Sequence, residues 1–145
     1  MGATILLFGT AQKQTIEGYR ALFAALQLLA QRDTAAGRDA DWRSMLKPVY
    51  AKASLDANVS ERFVDEMYEL YSAHIYDAET EGADAIDLLR FARSDETAPH
   101  WPLIVPFSQS FVDFDPGRNA DQLTQSFYEQ TYREFLAGLD AAIIA

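Results

Sequence analysis

Residues 14–32, QTIEGYRALFAALQLLAQR, set apolar side chains at helical spacing over about five turns. Ile16, Tyr19, Leu22, Phe23, Leu26, Leu29 and Ala30 fall on one face. A fold for this chain is expected to cover that stripe. Alanine and leucine dominate the segment, which suits a buried central helix, and Gly18 weakens only its first turn.

Two later segments repeat the period. Residues 59–82, VSERFVDEMYELYSAHIYDAETEG, align Phe63, Met67, Leu70, Tyr71, His74 and Ile75, with Asn58 and Glu61 spaced as a capping box. Asn119 and Gln122 repeat that spacing ahead of a last helix reaching about Ala142. Its face is Tyr128, Tyr132, Phe135, Leu136, Leu139 and Ile143. Shorter helical pieces fit Trp42 to Lys47, the stretch PVYAKASL that Pro48 opens, and the region of Ile86 and Leu89. Residues 100–117 hold Pro102, Pro106 and Pro116, which rule out helix through most of that stretch. Phe111 to Phe114 fits a short extended piece, and ATILLFG at 3–9 is short and apolar enough for a strand. The pattern therefore predicts a mainly α, single-domain bundle of five to six helices over residues 1–145. It allows at most a minor two-stranded element joining 3–9 to part of 103–114.

Composition excludes some chemistry. The chain has no Cys, so it forms no disulfide, thiolate metal site or thiol nucleophile. No basic leader precedes the first apolar run and no run approaches a membrane span, so a soluble, cytoplasmic chain is expected. The net charge of -10 argues against direct nucleic-acid binding and against anionic membranes. The charge is uneven. Residues 1–55 hold seven Lys and Arg against four acids, while residues 56–96 hold three Arg against twelve acids. Glu61, Asp65 and Glu69 recur every four residues, which stacks like charges along one helical line at a cost of about 0.2–0.5 kcal/mol per pair. Asp77, Glu79 and Glu81 fall at the negative end of the same helix.

Three readings account for that surplus: a solvated face kept for solubility, neutralisation by Arg20, Arg32, Arg38 or Arg43, or a docking surface for a basic protein. The docking reading makes the chain a small non-enzymatic interaction protein, of an inhibitor, immunity-type or nucleic-acid-mimic kind. Glu61, Asp65, Glu69, Asp77 and Glu79 then steer the partner, and Tyr68, Tyr76 or Trp101 anchors it. The alternative is a small-molecule site or enzyme with His74 in a pocket of Tyr71, Tyr128 and Tyr132. A buried core histidine is the plainer reading of His74, while PHWP at 99–102 is a rigid turn with room to expose both of its rings. No cofactor or metal is expected. Ser72 stands where a di-iron bundle needs His after Glu69, and Arg118 and Thr124 stand where a calcium loop starting at Asp113 needs Gly and Glu. No P-loop, dinucleotide fingerprint or Gly-x-Ser-x-Gly elbow occurs. A homo-oligomer is compatible with all of this.

Overall fold

The computed structural model describes residues 3–77, 89–112, 114–122 and 124–144. Three strands and three α-helices alternate along the described chain. They are β1 (Ile5–Gly9), α1 (Lys13–Ala35), β2 (Leu46–Ala53), α2 (Ala57–His74), β3 (Leu103–Pro106) and α3 (Gln125–Ile144). The strands form one parallel sheet in the order β1-β2-β3. The expected all-α bundle of five to six helices is therefore incorrect: the molecule is α/β, built from two successive βαβ units.

The central strand carries the correction. PVYAKASL was expected to be helical, yet Leu46–Ala53 pairs on both sides, with Ile5↔Leu46 through Gly9↔Tyr50 on one and Val49↔Leu103 and Tyr50↔Ile104 on the other. A parallel strand buried on both faces shows no alternation of polar and apolar residues, so its sequence resembles a short buried helix. Pro48 is tolerated because pairing with β3 begins only at Val49, leaving β2 with one described neighbour where the proline stands. Residues 3–9 and 103–114 do hold the other two strands, but β2 separates them, so they never form the expected pair. Asp41–Met45 is a 3-10 turn rather than part of a helix, and a 3-10 turn at Gln109–Phe111 takes up the first residue of the extended piece expected at Phe111 to Phe114, with Val112 extended after it.

Helix ends also move. Asp56, not Asn58, caps α2, its side chain accepting the Asn58 amide at 3.0 Å. α3 starts after Thr124, whose hydroxyl accepts the Phe127 amide at 3.1 Å, rather than at Asn119. The helix expected around Ile86 falls largely outside the described residues; residues 89–93, within it, are not helical, and Leu89 packs against the core.

One face of the sheet holds the main core. Ile16, Tyr19 and Phe23 of α1 meet Phe63, Met67, Leu70 and Tyr71 of α2 over Leu46 and Tyr50 of β2. Tyr50 stacks on Phe63 at 4.5 Å between ring centroids. Only part of the stripe on α1 is covered, since Leu22 and Leu29 remain exposed, so α1 flanks the sheet instead of occupying a bundle centre. Lys52 adopts a left-handed φ of 53° inside β2, where the register with β3 shifts. This bulge turns Ala53 back into the core face after Tyr50, against the two-residue alternation. Val49 and its register partner Leu103 point to the opposite face, where α3 arrives: a Cβ on Gly138 would lie 2.8 Å from Leu103 Cδ2. Thr4 Oγ1 donates to the Ala142 carbonyl at 2.9 Å and ties the end of α3 to the start of β1. Among the described residues no helix is long and apolar enough to cross a membrane.

Two glycines make opposite demands. A Cβ on Gly9 would collide with the Tyr19 hydroxyl and lie 2.8 Å from Thr15 Cγ2, whereas a Cβ on Gly18 meets nothing within 4 Å. Gly9→Ala is expected to destabilise the fold by about 1–3 kcal/mol through overpacking. Gly18→Ala is expected to stabilise it by about 0.5–1 kcal/mol through helix propensity. Urea unfolding of the two variants beside the parent checks both signs.

Candidate functional site

α2 leaves the sheet beside β3, and a groove of about 580 Å³ opens there. Glu61, Val64 and Asp65 line its α2 side, at the i, i+3, i+4 spacing that places them on one helical face. Arg93, Trp101 and Ile104 line the other side, supplied by the loop before β3 and by β3 itself. The lining is mainly apolar, with Ile104 44% exposed and Trp101 half-buried. Three residues singled out from sequence as parts of a partner surface, Glu61, Asp65 and Trp101, thus meet although the chain separates the last from the first by forty positions.

The remaining acids divide by environment. Asp65 Oδ1 accepts from Arg93 Nε at 2.9 Å, and this pair, with the charge of Glu69 nearby, raises the Arg93 pKa. Glu66 pairs with Arg20 of α1 at 3.1 Å. Asp77 is held hardest. Arg43 Nη1 donates to it at 2.9 Å and to the Ile75 carbonyl at 3.0 Å, while the Leu89 amide donates to its other oxygen at 2.8 Å. Arginines from three distant segments therefore pair with three of the twelve acids of residues 56–96. Glu61 and Glu69 are exposed and make no ion pair among the described residues. Glu79 lies outside the described residues.

The two histidines exchange their expected places. His74 is half-buried, with Nδ1 2.9 Å from Gln27 Oε1 of α1. His100 is fully buried. Its Nε2 lies 3.1 Å from the Arg93 carbonyl, which can only accept, so Nε2 carries the proton. Nδ1 therefore accepts from the Tyr76 hydroxyl at 2.6 Å, and that same oxygen accepts the His100 amide at 3.1 Å. Tyr68 presents an edge to the imidazole with centroids 5.1 Å apart. This knot fixes the loop that carries Arg93 and Trp101, so Tyr68 and Tyr76 position the groove from behind rather than line it. The knot was not legible in the sequence, because PHWP gives no sign of which ring turns inward.

The tyrosines of the alternative pocket do not converge on His74. Tyr71 is buried in the main core and donates to the Leu46 carbonyl at 3.0 Å. Tyr128 and Tyr132 sit 6.0 Å apart on α3, in a ring cluster with Phe111 and Phe127. No group of His, Asp and Glu among the described residues converges as a metal site would require. No family model, curated protein or solved structure matches this chain.

Two predictions follow the chemistry of these side chains. Asp77→Ala is expected to cost about 1–3 kcal/mol, because it removes the counter-charge of Arg43 and leaves the Leu89 amide without its acceptor. Glu61→Ala is expected to stay within about 0.5 kcal/mol of the parent, and chemical denaturation separates the two. Burial also holds the His100 imidazole below its ordinary pKa, an effect that outweighs the Arg93 carbonyl. The unfolded chain therefore takes up that proton first as the pH falls. The contribution of His100 to stability is intact above about pH 6.5 and declines as the pH drops through the window below it. Unfolding free energies between pH 7.5 and about pH 5 are expected to fall, with a smaller slope in His100→Gln. Equal slopes in parent and variant would contradict the assignment.

Proposed function

We propose that the chain is a non-enzymatic protein-binding module whose groove between α2 and β3 receives an extended, cationic segment of a partner protein. What supports this reading is the meeting of Glu61, Asp65 and Trp101 around an apolar floor of Val64 and Ile104. A half-buried tryptophan beside exposed aliphatic surface supplies the kind of anchor that dominates interface energies. Glu61 offers an unpaired carboxylate to an incoming Lys or Arg. Asp65 offers a second one by exchange, since Arg93 is well exposed and its pairing with Asp65 is a surface ion pair of small net worth. No described strand lies beyond β3, so its outer edge is placed to pair with an extended segment while side chains enter the groove. The charge of -10 steers cations in and opposes a second copy of the same chain as occupant. Glu69, exposed one turn beyond Asp65, adds to the field; Asp77 holds the fold and takes no part in docking. A cytoplasmic setting belongs to the same proposal and rests on the cysteine-free composition.

The chain has two tryptophans, so a Trp42→Phe background leaves Trp101 as the sole indole reporter. A peptide alternating Lys with Leu or Val is expected to blue-shift that emission saturably, with affinity that weakens as salt rises. Glu61→Lys is expected to weaken binding at least tenfold. A counterpart peptide with Glu in place of Lys is expected not to bind. Equal binding of both peptides, or an affinity indifferent to Glu61→Lys, would overturn the proposal.

A further inference from the structure

A second hollow, of about 420 Å³, lies between α1 and α2 on the other side of α2. Lys13, Arg20 and Arg62 line it together with Glu17 and Glu66, above a floor formed by Ile16 and Phe63. Its place in the fold is specific. Lys13 opens α1, which follows the carboxyl end of β1 after a three-residue connection, and Arg62 stands in the second turn of α2, which follows the carboxyl end of β2. The hollow thus opens toward the carboxyl ends of β1 and β2.

Its charge runs against the rest of the molecule. Three cations face two carboxylates here, in a chain whose net charge is -10. Two of the cations are engaged, both weakly. Lys13 lies 3.6 Å from Glu17 with its side chain 90% exposed, and Arg20 meets Glu66 at 3.1 Å with its side chain 61% exposed. Arg62 makes no ion pair among the described residues. α1 begins without an acidic residue in its first turn and without a side-chain cap from Gln12, so the positive end of its dipole adds to the same sign.

We propose that this cleft binds a small molecule that carries a phosphate or carboxylate group, with the oxyanion between Arg62 and Lys13 and an apolar portion over Ile16 and Phe63. The guanidinium of Arg62 offers paired donors that match either oxyanion, and Lys13 adds a point charge at the mouth. The site is separate from the groove. It uses the face of α2 that carries Arg62 and Glu66, where the groove uses Glu61, Val64 and Asp65.

Calorimetric titration and thermal unfolding with pyrophosphate and with citrate, each against chloride at matched ionic strength, test the inference. Saturable binding of either anion, with a rise in Tm beyond the chloride control, is expected. Pyrophosphate as the tighter ligand assigns a phosphate group, and citrate a carboxylate. Arg62→Ala is expected to weaken binding at least tenfold and Lys13→Ala severalfold. Both side chains are exposed, so both variants are expected to fold as the parent does. Trp101→Ala is expected to leave anion binding unchanged, which keeps the outcome independent of the groove. A Tm change equal to that in chloride, or an affinity that Arg62→Ala does not alter, would overturn the site.

Discussion

Tyr71 is the point through which the architecture is joined. Its hydroxyl, fully buried, donates to the carbonyl of Leu46 at the first residue of β2. Its ring presents an edge to Phe23 of α1 at 5.1 Å and leans on Tyr76 at 5.5 Å. One side chain therefore links the central strand, both helices of the main core and the loop knot around His100. Burial raises the phenol pKa well above its ordinary value, so the donor keeps its proton at neutral pH. Without this bond the buried Tyr71 hydroxyl would lose its acceptor inside an apolar layer, which is costly.

Held in that way, α2 becomes a partition. Successive turns send Glu61 and Asp65 toward β3 and Arg62 and Glu66 toward α1, so one helix separates an acidic, largely apolar groove from a cation-rich cleft. The same geometry explains how α2 carries the carboxylates of Glu61, Asp65, Glu66 and Glu69. Its neutralising charges come from elsewhere, Arg20 from α1 and Arg93 from the loop before β3, while Arg43 from the turn before β2 pairs with Asp77 just past the helix end. The like charges along Glu61, Asp65 and Glu69 are tolerated because the middle one is paired across the groove.

Much of the helical content could be read from the sequence, since α1, α2 and α3 carry period-3.6 stripes that local chemistry enforces. The strand at 3–9 was also visible as a short apolar run closed by Gly9. What failed was non-local. Parallel pairing leaves no hairpin turn to mark it, and β2, LKPVYAKA, carries Pro48 and shows no regular alternation of polar and apolar residues. The groove was half legible: Glu61, Asp65 and Trp101 drew notice by type, whereas Val64, Arg93 and Ile104 matter only because the fold brings them there. The cleft was illegible for the same reason. Lys13, Glu17 and Arg20 look like ordinary solvated helix charges until α2 is laid beside them.

Sharing a helix does not make the two hollows communicate. Coupling requires an element with two discrete arrangements whose balance both ligands bias. α2 shows the opposite design. Its start is fixed by the Asp56 cap, its middle by Phe63 stacked on Tyr50, and its end by Tyr71 on Leu46 and His74 on Gln27. A helix capped at its start and held at three further levels against β2 and α1 transmits little, because moving those turns breaks packed contacts. The one contact between the helices that a ligand in the cleft would compete with, Arg20 to Glu66, is an exposed ion pair, and its loss leaves the buried layer beneath it intact. The physics therefore favours two independent sites on one rigid divider.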